Sequence, residues 1–241
     1  MMKANIGVSG WQYPDFEARF YPQGLEKRDQ LAFYAQHFPT VEINNTFYHL
    51  PRTSTVENWR RRVPEGFTFA VKANRYITHM KNLLEPEKTL PNFYERINLL
   101  GERLGPVLFQ LPPRWQMDLD RLSNFLGHLP GGYQHTIEFR NPIWHRNAVY
   151  DLLSQNGVAF CIYDFNYYQS PIITTADFVY IRLHGPGQAY RDPYDLDMLN
   201  RWADRIRGWV AQGKDVYCYF DNTFHGYAWE NAKSLLEMLG G

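Results

Sequence analysis

Cysteine is scarce, neither sign of charge is in excess, and no long apolar run occurs. The two cysteines in 241 residues, Cys161 and Cys218, lie inside the apolar runs AFCIY and VYCYF without CxxC spacing. They read as small buried hydrophobes rather than a disulfide framework or a redox pair. Lys and Arg number 25 against 25 Asp and Glu, which argues against blanket electrostatic binding to nucleic acid or an anionic membrane and leaves only a local patch. No stretch of 18 apolar residues occurs, and the opening MMKANIGVSG has no signal-like apolar core. The expectation is a cytoplasmic chain with no membrane partner. Missing too are the Gly-rich G-x-G-x-x-G turn of dinucleotide folds and the H-x-H or H-E-x-x-H spacing of metal sites, so neither a cofactor nor a metal is expected.

Aromatic side chains, by contrast, are abundant, with 7 Trp, 17 Tyr and 16 Phe. Many fall in eight short β-rich runs near 5–10, 40–44, 67–73, 106–111, 134–140, 158–163, 178–184 and 215–220, whose starts are on average 30 residues apart. That interval suits a strand plus a crossover helix and is too long for hairpins. Helical spacing appears at 25–37, after Thr53-Ser54, and at 88–104, 118–128, 145–156, 195–212 and 227–239. Gly105, Gly157, Gly213 and Gly240 stand where left-handed caps are wanted. Only 164–177 (DFNYYQSPIITTAD) lacks a helix pattern and reads as an irregular loop with room for a short extra strand. Eight such units in one domain over 1–241 predict a TIM-like (β/α)8 barrel, an α/β fold of about 250 residues.

A barrel of this kind carries function at the C-terminal ends of its strands. Those ends hold Ser9-Gly10-Trp11, Glu42 and Asn44, Lys72, Gln110, Glu138 and Arg140, Tyr163-Asp164, Arg182 and His184, and Asp221-Asn222. Residues two apart on a strand share a face, so Glu42 pairs with Asn44, Glu138 with Arg140 and Arg182 with His184. The alternatives are a polar binding mouth or a buried ion-pair network closing the barrel top. Glu42 and Glu138, far apart around the ring, suit acid and base with an intervening water, with His184 as partner acid. Lys72, Arg140 and Arg182 would hold an anion, Asn44, Gln110 and Asn222 would add amide contacts, and Trp11, Tyr13, Tyr48, Trp115, Tyr163, Tyr167 and Tyr168 would form stacking walls. Gly185-Pro186-Gly187 and 222–226 lie where barrels commonly place phosphate. Glu42, Glu138, Asp164 and His184 form the one set that could assemble a metal site in space.

Several motifs in order resemble one family nearly end to end: IGVSGWQYPDF, VEINNTFYHLP, FAVKANRYITH, LFQLPP, IEFRNPIW, YIRLHGP, YFDN and YAWENA. The chain is similar to the YecE-like proteins, the family of unknown function numbered 72. The resemblance implies a TIM-like barrel and no established activity. A likeness of that fold to endonuclease-IV-like barrels suggests nucleic-acid binding for relatives, but the His, Asp and Glu set such nucleases need is not evident here. The first expectation is therefore a metal-independent acid–base enzyme, hydrolase or lyase in type, acting on a small anionic substrate. Nucleic-acid binding at the same mouth is the alternative, less favoured, and a non-catalytic ligand-binding barrel is the third reading. Oligomeric state is not legible.

Overall fold

Short β-branched and aromatic runs separated by helical crossovers leave parallel pairing as the way to satisfy the strands' backbones. The computed structural model describes residues 3–17 and 19–240. Its strands are β1 (Ala4–Ser9), β2 (Thr40–Ile43), β3 (Thr68–Lys72), β4 (Leu104–Leu111), β5 (His135–Phe139), β6 (Ala159–Phe165), β7 (Tyr168–Gln169), β8 (Phe178–Leu183) and β9 (Asp215–Phe220). All but β7 pair in parallel around a ring that closes through β9 on β1 and β5 on β6. This is the expected eight-stranded TIM-like barrel. The two-residue β7 folds back antiparallel on β6, so 164–177 holds a hairpin and no helix.

Helices α1 (Gln30–Tyr34), α2 (Asn45–Tyr48), α3 (Thr53–Arg62), α4 (Pro86–Ile97), α5 (Leu119–Gly127), α6 (Asn147–Gln155), α7 (Leu196–Ala211) and α8 (Tyr227–Leu239) fill the crossovers. Asp118 and Asp195 cap α5 and α7 by accepting from the Arg121 and Met198 amides, which satisfies donors a helix start leaves open. Three expectations are corrected. The helix expected over 25–37 shrinks to the five residues of α1, and the segment 88–104 splits into α4 and a 3-10 stretch over Asn98–Arg103. Gly105 is no helix cap but lies within β4, where a Cβ would come within 2.3 Å of Thr68 Cγ2.

Strand alternation sorts the apolar residues into two cores. Val41, Ile43, Ile137, Phe139, Val179, Ile181 and Leu183 face the helices in the larger cluster. Ala70, Leu108, Ala159, Cys161, Tyr163, Phe178, Tyr180, Tyr217 and Tyr219 fill the barrel itself. Both cysteines are buried free thiols. Tyrosine does what aliphatic residues do in many barrels, with a consequence for the layer above. The Tyr180 hydroxyl reaches Glu42 at 2.6 Å and the Tyr219 hydroxyl pairs with Thr40 Oγ1 at 2.8 Å. Phenols thus join an apolar floor to a charged upper layer without stranding a polar atom.

Candidate functional site

Continuing each inward-facing row by two residues leads from this floor to the ionic layer. Phe178 and Tyr180 are followed by Arg182 on β8 and by His184 just past its end, and Ala70 by Lys72 on β3. Arg182 occupies the centre, 1% exposed. Its Nε donates to Glu42 Oε2 at 3.0 Å and its Nη2 to Glu42 Oε1 at 2.8 Å. Nη1 reaches Glu138 at 2.9 Å and Nη2 reaches Asp221 at 3.1 Å. One planar guanidinium therefore ties strands β2, β5 and β8 and the end of β9 together. Glu42 also accepts from Ser9 Oγ at 2.5 Å and from Tyr180.

This geometry alters the roles expected of the two glutamates. The space between them holds the Arg182 guanidinium, which is bonded to both. Glu42 is buried with both oxygens engaged, which suits a structural anchor better than a base. Glu138 is bonded by Arg140 Nε and Arg182 Nη1. Burial pushes its carboxyl up, but Arg140, Arg182 and Lys72 outweigh that and bring it down to about 2. A carboxylate so stabilised is a poor proton acceptor at neutral pH.

His184, likewise fully buried, is held neutral. Burial first, then Arg140 and Arg182, keep its imidazole well below the usual histidine range. Its Nδ1 lies 2.8 Å from the Asp164 carbonyl, and its Nε2 lies 2.9 Å from both Arg140 Nη2 and Arg182 Nη1. Since a carbonyl only accepts and guanidinium only donates, the proton sits on Nδ1 and Nε2 is the acceptor. The ring serves the arginines as a neutral support rather than as an acid.

Two ionisable groups of the layer are less committed. Among the described residues no carboxylate lies within 4 Å of Lys72 Nζ, which instead sits 4.5 Å over the Phe47 ring of α2. Burial and Arg182 depress Lys72 to about 8, against the pull of Glu138, Glu42 and Asp221. Asp221, beside Arg182 and 3.5 Å from His184 Nε2, is raised to about 6 by burial, which Arg182 only partly counters. Of Asp221 and Glu138, it is the one nearer neutrality. The row Tyr217, Tyr219 puts Asp221 on the inner face, the alternation signal that singles it out over its neighbour Asn222.

Asn222 is accordingly a correction. Its side chain leaves the mouth, and Nδ2 donates to the Asp192 carbonyl at 3.0 Å and to Asn231 Oδ1 of α8 at 2.9 Å. The loops expected to cradle phosphate are also occupied by the chain itself. Tyr194 accepts from the Gly185 amide, Asp192 from the Gln188 amide, and Asp15 from the His225 amide. Nor do Glu42, Glu138, Asp164 and His184 converge as ligands. Among the described residues no group of three His, Cys, Asp or Glu is arranged to hold a metal.

Above the ionic layer the mouth has two lobes. The smaller, about 260 Å³, lies between Trp11, Tyr13, Asn44 and Tyr48. Trp11 packs edge-on against Trp59, Tyr48 is 59% exposed, and Asn44 Oδ1 is buried without a hydrogen-bond partner among the described residues. The larger, about 410 Å³, is lined by Gln110, Arg140, Tyr163 and further aromatic residues. Tyr163 is fixed by its hydroxyl on the Phe139 carbonyl at 2.7 Å. Of the expected wall residues, Trp11, Tyr13 and Tyr48 line the smaller lobe and Tyr163 and Tyr168 the larger, on opposite sides of the charged centre, while Trp115 packs against Trp144 and Tyr167 lines neither lobe. Phe165, which ends β6 on the row of Cys161 and Tyr163, and Tyr190, a loop position that strand periodicity does not reach, join the larger lobe.

Comparison with known proteins agrees with this architecture. A family model described as "Protein of unknown function DUF72" matches residues 5–241. The UPF0759 protein YunF of Bacillus subtilis is 25% identical over 97% of this chain and 94% of its own length. YecE of Escherichia coli is 33% identical over 57% of this chain and 48% of its own length. A crystal structure of a family member from Thermotoga maritima superposes with a TM-score of 0.89 at 27% identity, covering 99% of both chains. With the motifs, the barrel and a match spanning almost the whole sequence in agreement, the chain belongs to the DUF72 family of proteins of unknown function.

Proposed function

We propose that the barrel mouth binds a small phosphate- or carboxylate-bearing molecule and performs metal-independent acid–base chemistry on it, of hydrolase or lyase type. The observation that carries this reading is Lys72, a half-buried ammonium without a carboxylate partner within 4 Å among the described residues. Partial burial of an unpaired cation is costly, and an anionic ligand would offset that cost. Arg140 stands two strands away, with Gln110 of β4 on the strand between them. In this reading Lys72 and Arg140 hold the anion. Glu42, Glu138 and Arg182 fix the frame, His184 orients the guanidiniums, and Asp221, raised to about 6 and placed 3.5 Å from His184 Nε2, exchanges the proton.

The test is mass spectrometry of small molecules retained through native purification, for the wild type and for Lys72→Met. An anionic compound retained by the wild type and lost from the variant supports the reading. A neutral compound held equally by both overturns it.

Nucleic-acid binding is favoured by one separate feature, the exposed aromatic residues Tyr48, Tyr76, Tyr167, Tyr190 and Phe224 in the connecting segments that follow strands. Such rings stack bases without regard to sequence. That reading requires oligonucleotide affinity to fall steeply with salt, whereas a small-anion site leaves the oligonucleotide unbound at physiological salt.

A further inference from the structure

The larger lobe has an unusual lining. Tyr163, Phe165, Tyr168 and Tyr190 form its walls with Pro113 and Pro142, and no Leu, Ile, Val or Met contributes. Its polar groups are Gln110, Arg140 and Asn166. An aliphatic ligand is ordinarily met by aliphatic side chains that conform to it. Flat, stiff walls instead select flat ligands through offset stacking and edge-to-face contact.

The rings are held at fixed separations. Tyr163 and Tyr168 have centroids 6.2 Å apart, and Phe165 and Tyr190 are 5.7 Å apart and nearly perpendicular. Tyr168 is anchored by its hydroxyl to His145 Nδ1 at 2.7 Å, and Phe165 lies edge-on to His184. Arg140 links the lobe to the charged layer, its guanidinium 4.0 Å from the Phe165 centroid and in contact with Glu138 and His184. A cation already stacked on one aromatic wall marks where the charged end of a ring-bearing ligand would lie. The volume, about 410 Å³, falls in the range of about 300–1,000 Å³ typical of small-molecule sites.

We infer that this lobe is an aryl subsite: the molecule bound at the mouth carries a planar aromatic or heteroaromatic ring, seated between Tyr168 and Tyr190, with its anionic group toward Arg140 and Lys72. This deepens the anion-binding reading and rests on it for the charged end only.

The experiment is a titration, by calorimetry or ligand-observed NMR, with four probes: phenyl phosphate, cyclohexyl phosphate, inorganic phosphate and neutral benzamide. The expected result is phenyl phosphate binding at least about fivefold tighter than cyclohexyl phosphate. Tyr190→Ala and Tyr168→Ala should each lose that preference, while Tyr168→Phe, which keeps the ring, retains it. Equal affinity for the phenyl and cyclohexyl esters, both lost in Lys72→Met, overturns the aryl subsite and leaves anion binding intact. Benzamide binding that Tyr190→Ala abolishes, with no phosphate probe bound, supports the subsite and overturns the anion reading. Failure of both phenyl phosphate and benzamide to bind overturns the subsite. Folding of each variant is verified by its thermal transition, which should stay near wild type because Tyr168 and Tyr190 are 37% and 43% exposed.

Discussion

Arg182 and Glu42 form a bidentate pair across the interior of the barrel, Nε to Oε2 at 3.0 Å and Nη2 to Oε1 at 2.8 Å, with neither side chain more than 1% exposed. The same guanidinium holds Glu138 and Asp221. Replacing Arg182 with Met leaves three carboxylates facing one another in a low-dielectric interior. Breaking a buried pair in this way costs about 3–5 kcal/mol, and here one residue serves three partners. Denaturant unfolding of Arg182→Met should show at least that loss, or no folded protein. Arg182→Lys should not restore stability, because a point charge does not reproduce the fork. A variant within about 1 kcal/mol of wild type would contradict the central role assigned to Arg182.

Two carboxyls of this layer impose opposite pH dependences. Glu138 is lowered to about 2 in the folded chain, from an ordinary value of 4.5, so its contribution is full above about 4.5 and is lost as pH falls toward 2. Asp221 is raised to about 6 from 3.8, so the folded state holds its proton more tightly. Its contribution is therefore present below about 3.8 and is lost as pH rises through 6. Each effect is about 3 kcal/mol. Stability measured from pH 3 to 8 should decline less between 4 and 6 in Asp221→Asn, and fall less on the acid side in Glu138→Gln.

Lys72 makes a different prediction, because its folded value of about 8 lies below the ordinary 10.5. The folded chain binds its proton less tightly than the unfolded one, so stability rises as pH climbs from about 8 to 10.5. Lys72→Met should abolish that rise and leave stability at pH 7 equal or higher, since no carboxylate partner is lost. Inorganic phosphate affinity should drop in the wild type above pH 8 and be weak at every pH in the variant.

The β6–β7 hairpin turns through Asn166 and Tyr167, both at positive φ of 55° and 63°. Two successive left-handed residues make a turn that favours Asn-Gly, and a tyrosine at the second position is strained. Tyr167→Gly should raise stability by about 0.5–1 kcal/mol, read as a small upward shift in melting temperature. Because Tyr167 is 81% exposed, little packing is lost with the ring.

How much of this was legible in the sequence follows from the range of the interactions. Strand alternation is local, so the inward placement of Glu42, Lys72, Glu138, Arg140, Arg182 and His184 could be read from residues two apart, as could the barrel from eight strand-plus-helix intervals. The same rule, extended along β9, would have chosen Asp221 over Asn222. Phe165 lies on that same period, two residues beyond Tyr163, but the loop residue Tyr190 carries none, and its convergence with Phe165 on one lobe is invisible in the chain.

Residue order alone sets which side chains enter the barrel and gathers charges of both signs at one end of it. How those charges are shared is settled by the closed ring. Arg182 and Glu42 are separated by 140 positions in the chain, and no local pattern specifies that one guanidinium will take three carboxylates and leave Lys72 without one. Ring closure makes that choice, by setting the distances among groups that the periodicity only points inward. It also spends the loop amides expected for phosphate on the chain's own Asp192 and Asp15. Periodicity fixes direction along one strand, whereas partnership depends on the spacing of strands brought together by folding.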